Sequence, residues 1–499
     1  MTVMRILVTG GTGVIGAGVI PQLLSRRHGV RLLSRHADED AGRWCGVEAL
    51  QGDVSDSASL RGSVARCEAV LHIAGIAAEN PPEATFEIVN VGGTRNVVEE
   101  MRRSTVRRLV FVSSLGTDRG SSEYHQSKRE AEEIVRASGL DWTIVRPGNV
   151  YGPGDDVISN ILKMVRVLPV VPVIDSGDQP FQPIWFEDLG AALAAIVERR
   201  DLDGEVMEIA GPDVTSLNNL LQRLSEITGR SPLRLPVPMP LASMVAKLAS
   251  LAVEMPLDET KLTMLQENNV LTDSAARPLE ALRLRATPLD EGLRRLADLL
   301  PEQTPDEGVG PMVHKKFWAD IAGSPLTPVS LMTMFRERVT ELMPIEFASE
   351  PGAPTRIEKG ATMTGSLPLR GHFQVRAEVV EPARVVLGTV DGHPLAGFVE
   401  FTAVEVERGV RFAIDIYTKA ANVLDLLAVM TVGEPAQSAN WHSVVQHVID
   451  ASGGTSDGVH HEARKLDKVE SEAVTEQMRT MIRQRQRSES APSERAPQR

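Results

Sequence analysis

The sequence predicts an α/β fold, in which a doubly wound parallel sheet with a small cap is followed by a C-terminal α+β domain with an antiparallel sheet. In residues 1 to about 150, short runs rich in β-branched residues alternate with helix-length segments, and a glycine-rich loop follows the first run. Near-continuous apolar strands separated by helices are typical of parallel sheets covered on both faces. After about residue 325, alternating runs follow one another with tight-turn sequences between them, which indicates antiparallel strands.

Length and composition limit the class of protein. A chain of 499 residues is too long for one ordinary core, so two domains are expected. Hydrophobic residues make up 42% and charged residues 24%, as in a soluble globular protein. The formal charge of −14 argues against a nucleic-acid partner, because phosphate binding requires clustered Lys and Arg. Cys45 and Cys67 are too few for a disulfide framework or a cysteine zinc site, and both are expected to be inert; no metal-ligand spacing is apparent.

The sequence does not predict secretion or membrane insertion. The first residues lead directly into a strand-like segment, without a secretory signal. The apolar stretch over residues 235–253 is interrupted by three prolines and Lys247, so it predicts an amphipathic helix from about Leu241 rather than a membrane span. We therefore expect a cytosolic protein without membrane contact, and its oligomeric state is left open.

The first domain is predicted to span residues 1–300. Strands are expected over residues 5–9, 30–34, 69–73, 108–113 and 142–145, with helices over 14–27, 94–104 and 127–138. After Pro147 the alternation loosens, and a strand over 206–210 followed by a helix from Leu217 predicts a smaller cap at the carboxyl edge of the sheet. Residues 301–324 are expected to be a linker, because prolines, glycines and acidic residues cluster over 301–310.

The second domain is predicted over residues 325–453. Helix-like segments from about Met312 precede alternating runs at 371–380, 384–389, 397–406 and 410–417, and residues 438–451 predict a long closing helix. Surface positions are expected for His372 and His393, in preference to polar positions in an apolar cavity. Residues 454–499 are polar with mixed charges, and they are expected to be a largely disordered tail.

A glycine-rich loop after the first strand predicts a dinucleotide site. Gly10, Gly13 and Gly16 lie between a strand and a helix, where missing side chains let the backbone approach a pyrophosphate. The N-terminus of the helix supplies N–H donors and a positive dipole. The loop residues expected at the cofactor are Gly10, Thr12, Gly13, Val14, Ile15 and Gly16.

The residue after the second strand indicates which dinucleotide is bound. An acidic residue about twenty positions after the loop would bind the ribose 2′-hydroxyl of NAD. Arg35 occupies this region, with Arg31 nearby, and a guanidinium can pair with a 2′-phosphate. NADP is therefore favoured over NAD, and the acidic residues 38–40 are expected to be a solvated loop.

Two further strand ends are expected to line the cofactor. Asp53, followed by Val54, either accepts a hydrogen bond from the adenine amino group or caps a turn. Ala74 and Gly75 follow the fourth strand and would let the cofactor lie close to it. His72 within that strand is expected to be packed rather than catalytic.

Tyr124 and Lys128 are predicted to transfer a proton. They are four residues apart and share one face of a helix. A free tyrosine has a pKa of about 10, and an adjacent ammonium group would stabilise its phenolate. Lys128 is also expected to bind the nicotinamide ribose. Ser114, or alternatively Ser113, would polarise a substrate carbonyl.

Asn90 opens the helix after the fourth strand, and two roles are open for it. It either stabilises the site, including a proton-relay water, or acts as a helix N-cap.

These residues resemble the short-chain dehydrogenase/reductase superfamily in its extended and atypical branches, over about residues 3–300. Thr9 to Gly16 is similar to the family's glycine loop, and Tyr124 with Lys128 to its catalytic pair. The resemblance implies a Rossmann sheet, and it implies that the segment from Arg146 and Pro147 to Asp155 wraps cofactor and substrate. Residues 210–212 and 262–270 resemble the group related to a respiratory complex I accessory subunit. Residues 325–453 resemble helix-grip domains, which implies a module that holds an apolar substrate or recruits a partner.

Three functions are consistent with the sequence. The first is an NAD(P)-dependent oxidoreductase acting on a carbonyl or secondary alcohol of a small-molecule substrate. The second is an NAD-dependent epimerase or dehydratase of the sugar-nucleotide type. The third is a non-catalytic NADPH-bound scaffold or redox sensor, against which the intact Tyr/Lys pair argues. The sequence does not identify the substrate.

Overall fold

The computed structural model describes residues 3–40, 42–238, 269–272, 278–367, 371–428 and 434–490. The predicted amphipathic helix from Leu241 and most of the segment 262–270 lie outside these residues. Of the helices in the described ranges, none combines the length and the apolar character needed to cross a bilayer.

The first domain contains a seven-stranded parallel sheet, as the sequence predicted. Its strands are β1 (Arg5–Thr9), β2 (Gly29–Ser34), β3 (Val47–Gln51), β4 (Ala69–His72), β5 (Arg108–Val112), β6 (Asp141–Pro147) and, after the short cap strands, β10 (Val206–Ile209). Their order is β10-β6-β5-β4-β1-β2-β3, and every pairing is parallel. The strand order reverses between β1 and β4. Ligands of doubly wound sheets bind at this point, beyond the carboxyl ends of the strands.

Helices cover both faces of this sheet. They are α1 (Val14–Ser25), the short α2 (Ala37–Asp40), a π-helix (Glu87–Gly92) that continues into α3 (Gly93–Arg102), α4 (Glu123–Arg136) and α6 (Phe186–Val197), whereas α5 (Ile158–Val167) belongs to the cap. Ile6 and Val8 pack on the side of α1 and α6, whereas Leu7 packs on the side of α3 and α4. Successive residues of a strand point to opposite faces, so a buried run such as 6–8 requires cover on both sides.

A smaller cap contains two short parallel sheets and further helices. The strands are β7 (Val150–Tyr151) with β9 (Ile184–Trp185), and β8 (Val170–Ile174) with β11 (Leu233–Val237); the helices are α7 (Leu217–Thr228), α8 (Pro278–Ala281) and α9 (Leu289–Leu299). Apolar residues of α5, α7 and α9 form a shared core.

The second domain is an eight-stranded antiparallel sheet covered by helices. Its elements are β12 (Val309–Ala322), α10 (Pro328–Glu337), α11 (Val339–Leu342), β13 (Glu346–Phe347), β14 (Thr362–Leu367), β15 (Gly371–Glu381), β16 (Arg384–Thr389), β17 (Leu395–Val406), β18 (Gly409–Ala420), α12 (Val423–Ala428), α13 (Glu434–Ser452) and β19 (His460–Lys465). The strand order is β13-β14-β15-β16-β17-β18-β12-β19. Phe335, Phe401 and Phe412 pack together beneath α13, so aromatic side chains occupy this face of the sheet.

The predicted linker over residues 301–324 is wrong, because most of it is β12. This strand pairs with β18 on one side and with β19 on the other. Met312, Phe317, Ala319 and Ile321 are buried along it. Two lysines and His314 interrupt the apolar alternation at 314–316, which weakens the strand signal in the sequence.

The predicted disordered tail from residue 454 is also wrong through residue 490. Strand β19 extends the sheet, and α14 (Lys468–Ser490) covers the sheet face opposite α13. Met478, Met481 and Ile482 of α14 pack against Met312 and Phe398. These few apolar residues at helical spacing are sufficient to bury the helix, although the segment as a whole is polar.

A buried ion pair joins the two domains at α5. Arg166 donates from Nε and Nη2 to the two carboxylate oxygens of Glu350, both over 2.8 Å, and from Nη1 to Gln374 over 2.8 Å. Glu350 also lies 3.3 Å from Nδ1 of His372. Because Arg166 and Glu350 are both almost fully buried, the second domain closes over a helix of the cap.

Candidate functional site

The glycine-rich loop has the backbone geometry that a pyrophosphate site requires. Gly10 has a φ of +69°, and a Cβ there would lie 2.5 Å from the backbone nitrogen of Ala74. A Cβ at Gly16 would lie 2.0 Å from the carbonyl oxygen of Gly11. Gly13 and Thr12 are exposed, and the first turn of α1 has neither an acidic residue nor a side-chain cap. The N-terminus of α1 therefore fits the phosphates of a dinucleotide, and Val14 and Ile15 supply its first N–H groups.

The end of β2 contains one of the two predicted arginines. Arg35 is exposed directly after the strand, where the adenosine ribose is expected. Arg31, which lies nearby in the sequence, is buried, donates to the carbonyl oxygen of Ser63 over 2.9 Å and pairs with Glu48. It lies within the strand, whereas Arg35 follows the carboxyl end of the strand.

After β2, Asp40 contradicts the predicted solvated loop, and Arg43 is a site residue that the sequence did not predict. Asp40 is buried and accepts a 2.5 Å hydrogen bond from Ser34, so it is not part of a solvated loop. Arg43 was not predicted, yet its Nη1 donates to the carbonyl oxygen of Thr12 over 3.3 Å. Its guanidinium lies 5.1 Å from the ring centroid of Trp44. The adjacent Arg43 and Trp44 in the sequence were the one indication that an arginine is held near the loop.

Three side chains near the sheet edge have structural partners. Oδ1 of Asp53 accepts hydrogen bonds from the backbone and hydroxyl of Ser55, so the turn-capping role is present, and an adenine contact stays a prediction. Val54 packs into the core beside Gly93. His72 is fully buried between hydroxyl groups, and burial, assisted by Lys128, lowers its pKa to about 3. The expectation that His72 is packed is confirmed.

Asn90 organises the segment after β4. Its Oδ1 accepts from the backbone of Ile76 over 2.8 Å, and its Nδ2 donates to Ser127 over 3.0 Å. It lies inside the π-helix, so the N-cap alternative is wrong. A Cβ on Gly75 would lie 3.1 Å from Oδ1 of Asn90 and 3.6 Å from Nζ of Lys128. The absence of a side chain at Gly75 therefore leaves both polar groups close to the strand end.

Ser114 and Tyr124 come together at the carboxyl edge of the sheet. The hydroxyl of Ser114 lies close enough to the phenol of Tyr124 to oppose the rise of its pKa by burial, and it donates to the carbonyl oxygen of Leu115 over 3.3 Å. Ser122 caps α4 by accepting from the backbone of His125, which places Tyr124 in the first turn and Lys128 one turn later. Three of the predicted catalytic groups are thus on or beside one helix face.

Ser113 belongs to a different network. Its hydroxyl donates to Glu132 over 2.6 Å. Glu132 is fully buried and forms a bidentate pair with Arg146 at 2.8 and 2.9 Å. Burial alone would raise the pKa of Glu132, but hydrogen bonds from Arg146 and Ser113 outweigh it and lower that pKa. Ser114, rather than Ser113, is therefore the serine beside the phenol.

The charge states of the Tyr/Lys pair are set mainly by burial. Burial raises the pKa of Tyr124, and the adjacent hydroxyl of Ser114 opposes this. Burial lowers the pKa of Lys128 to about 8, with Glu132 opposing. Nζ of Lys128 donates to the carbonyl oxygen of Val112 over 2.8 Å. In this structure the lysine is therefore held against β5.

The remaining predicted positions divide between the two domains. Pro147 ends β6, and its carbonyl oxygen accepts from the backbone of Leu115. Cys67 is buried, whereas Cys45 is exposed. His393 is buried and bonded to Leu395, and His372 lies at the domain interface, so the expected surface positions are wrong for both.

Known proteins resemble this chain over the domain that contains the site. A sequence family described as NAD(P)H-binding matches residues 10–158. Sterol demethylase protein B of Methylococcus capsulatus is 31% identical over 274 residues, which are 49% of this chain and 81% of that protein. The chain belongs to the NAD(P)H-binding family. The predicted nicotinamide dinucleotide cofactor is thereby confirmed.

Further relatives of this NAD(P)H-binding protein support the predicted resemblance. Ceramide reductase of Caulobacter vibrioides is 29% identical over 245 residues, which are 47% of this chain and 74% of that protein. The NADH dehydrogenase (ubiquinone) 1 alpha subcomplex subunit 9 of Arabidopsis thaliana mitochondria is 25% identical over 295 residues, covering 56% and 72%. The similarity to the complex I accessory-subunit group is confirmed. Thermus thermophilus UDP-glucose 4-epimerase in complex with NAD aligns with a TM-score of 0.46 and 24% identity, covering 59% of this chain and 98% of that one.

Proposed function

We propose that this NAD(P)H-binding protein is an oxidoreductase of the short-chain dehydrogenase/reductase type that acts on a carbonyl or secondary alcohol. The observation that supports this proposal most is the pair formed by Tyr124 and the adjacent hydroxyl of Ser114, which opposes the rise of the phenol's pKa by burial. It lies at the carboxyl edge of the sheet, one helical turn from Lys128 and across from Gly75. A phenol beside a hydroxyl and an ammonium group is suited to moving a proton on and off an oxygen atom.

In the proposed reaction, a bound nicotinamide supplies the hydride for reduction of a carbonyl or accepts it in the reverse direction. Ser114 donates a hydrogen bond to the substrate oxygen, and Tyr124 gives its hydroxyl proton to that oxygen as the C–H bond forms. The proton returns to Tyr124 from solvent. Lys128 carries a positive charge at neutral pH, because its pKa of about 8 lies above 7. Rotation of its flexible side chain away from Val112 would bring that charge toward the phenol and favour loss of the proton.

Arg35 supports NADP over NAD within the proposed function. Its guanidinium is exposed at the end of β2, where an acidic residue would instead bind the free 2′-hydroxyl of NAD. A guanidinium pairs with phosphate through two parallel hydrogen bonds.

The names of two relatives suggest an apolar substrate class. One relative is named for sterol demethylation and another for ceramide reduction. We therefore propose a lipid-like ketone or secondary alcohol as substrate. The second domain is not proposed as its container, since Phe335, Phe401 and Phe412 occupy the face beneath α13.

A non-catalytic NADPH-binding scaffold is the second candidate, and one observation favours it. Nζ of Lys128 is bonded to the carbonyl oxygen of Val112 and Tyr124 has a raised pKa, so the pair is not in its activated state in this structure. The oxidoreductase requires Tyr124 and Lys128 for turnover, whereas the scaffold has no turnover that could depend on them.

Replacing Tyr124 by Phe tests the proposal. The variant should bind NADPH with unchanged affinity in calorimetric titration and should lose at least about a hundredfold in NADPH oxidation with sterol and ceramide ketones. Tyr417→Phe, in the second domain, is the matched control and should keep full activity. If no ketone is turned over by the wild type, the scaffold is favoured. Co-purifying cofactor with substrate conversion but no net NADPH consumption would favour an epimerase or dehydratase.

A further inference from the structure

The last turn of α14 reaches the first domain beside the glycine-rich loop. Nε of Arg487 donates to the carbonyl oxygen of Gly42 over 3.2 Å, although the two residues are 445 positions apart in the chain. Gly42 immediately precedes Arg43, which donates to Thr12 in the loop itself. The terminal helix of the second domain therefore touches the segment after β2, where the adenosine ribose of a dinucleotide lies in such sheets.

The position of Arg487 is fixed by the packing of the whole helix. Met478 and Met481 are buried against the second sheet. Arg485, only 6% exposed in its side chain, pairs with Glu378 at 2.8 Å and with Glu302 at 2.5 Å. These contacts hold the helix backbone within two residues of Arg487, so its side chain starts from a fixed place beside the first domain.

Three arginines lie at this place, in or against the segment that also holds the exposed Asp38 and Glu39 and the buried Asp40. Arg35, Arg43 and Arg487 are all borne by the segment after β2 or touch it, whereas the chain has a formal charge of −14. Arg43 is 42% exposed in its side chain, and its contact with Asp40 is long, at 3.5 Å.

We propose that Arg487 and Arg43 bind the 2′-phosphate of NADP(H), so that the second domain contributes a residue to the cofactor site of the first. This inference rests on the proposed function, because it requires the dinucleotide to lie along the glycine-rich loop. The planar guanidinium fork matches two phosphate oxygens, and Arg43, stacked near Trp44, approaches the same segment from within the first domain. NADH lacks this phosphate, so the two arginines distinguish the two dinucleotides.

The test is calorimetric titration of the full chain and of Arg487→Ala with NADPH, NADH and adenosine 2′,5′-bisphosphate. Loss of one charge-assisted contact at a partly exposed site is expected to weaken NADPH and the bisphosphate about tenfold and to leave NADH unchanged. Arg487→Lys should recover part of the affinity, since it restores the charge without the fork. Arg483→Ala is the matched control, because it removes one positive charge from the same helix, where Arg483 pairs with Glu476, and should bind NADPH as the wild type does.

The other possible titration results contradict either the role of Arg487 or the proposed function. Equal NADPH affinity in the wild type and Arg487→Ala would overturn the role of Arg487 while the proposed function stands. Equal weakening of NADPH and NADH would show that Arg487 only supports the loop, and would likewise overturn the 2′-phosphate site. If the wild type binds neither dinucleotide, the proposed function fails before the role of Arg487 is tested. Melting curves of all variants establish that each one is folded.

Discussion

Replacing Lys128 by Met should stabilise the folded protein at neutral pH while removing activity. Lys128 is 4% exposed, and burial lowers its pKa from 10.5 to about 8. That difference corresponds to about 3 kcal/mol of folding free energy lost at pH 7, since a tenfold change in protonation is about 1.4 kcal/mol. Methionine removes this cost but also the hydrogen bond to Val112, worth about 1 kcal/mol. The expected net gain is about 2 kcal/mol.

The sign of the pH dependence follows from the lowered pKa. The unfolded lysine holds its proton more tightly than the folded one, so the cost is complete below pH 8 and decreases as the pH rises toward 10.5. The advantage of Lys128→Met should therefore be largest at pH 7 and nearly absent at about pH 10. For a domain of this size, 2 kcal/mol raises the melting temperature by about 4 °C.

Differential scanning calorimetry at both pH values measures this effect. Lys163→Met is the matched control, because Lys163 pairs with Asp391 at 2.8 Å and its loss should lower the melting temperature. A lower melting temperature of Lys128→Met at pH 7, or an equal gain at both pH values, would refute the reasoning that the lysine is buried at a cost. A gain together with lost turnover would show that the site sacrifices stability for function.

Two further predictions concern buried ion pairs. Glu132→Ala should destabilise the first domain by about 3 kcal/mol in urea titration at pH 7, because Arg146 would lose its bidentate partner. The pKa of Glu132 is lowered, so the wild-type advantage is complete above the ordinary carboxyl range and should decline as the pH falls below about 4. Arg166→Met should remove the bidentate partner of Glu350, leaving the contact with His372 at 3.3 Å, and cost about 3 kcal/mol. It should split a single calorimetric transition into two, whereas one unchanged transition would show that this pair does not couple the domains.

The parallel sheet of the first domain could be predicted because its signals are local. Strand β1 was predicted at its observed bounds, and Gly10 was placed correctly because a positive φ next to a strand end leaves few alternatives to glycine. The Tyr124/Lys128 spacing predicted that the two side chains share one helix. The sequence did not show the partners of Arg31, which include Ser63 and Glu48.

The second domain was predicted less completely, because its elements depend on distant partners. Strand β12 has a mixed polar sequence at 314–316, and it is a strand because β18 and β19 lie on either side of it. The helix α14 is polar overall. Its few apolar residues stabilise it only because they pack against one face of the second sheet. Propensity alone cannot identify such segments, since tertiary contacts override it.

Buried charges explain why the relation between the domains was not predicted. Arg166, Glu350 and Arg485 would each be assigned to a solvated surface from the sequence, yet all three are nearly buried in pairs. A charged residue is tolerated inside only when its partner is also present, so the signal lies in a pair separated by more than a hundred residues. The same pairs close the second domain over α5 and direct α14 toward the glycine-rich loop. A domain held in this way is expected to influence cofactor affinity even if it never contacts the substrate.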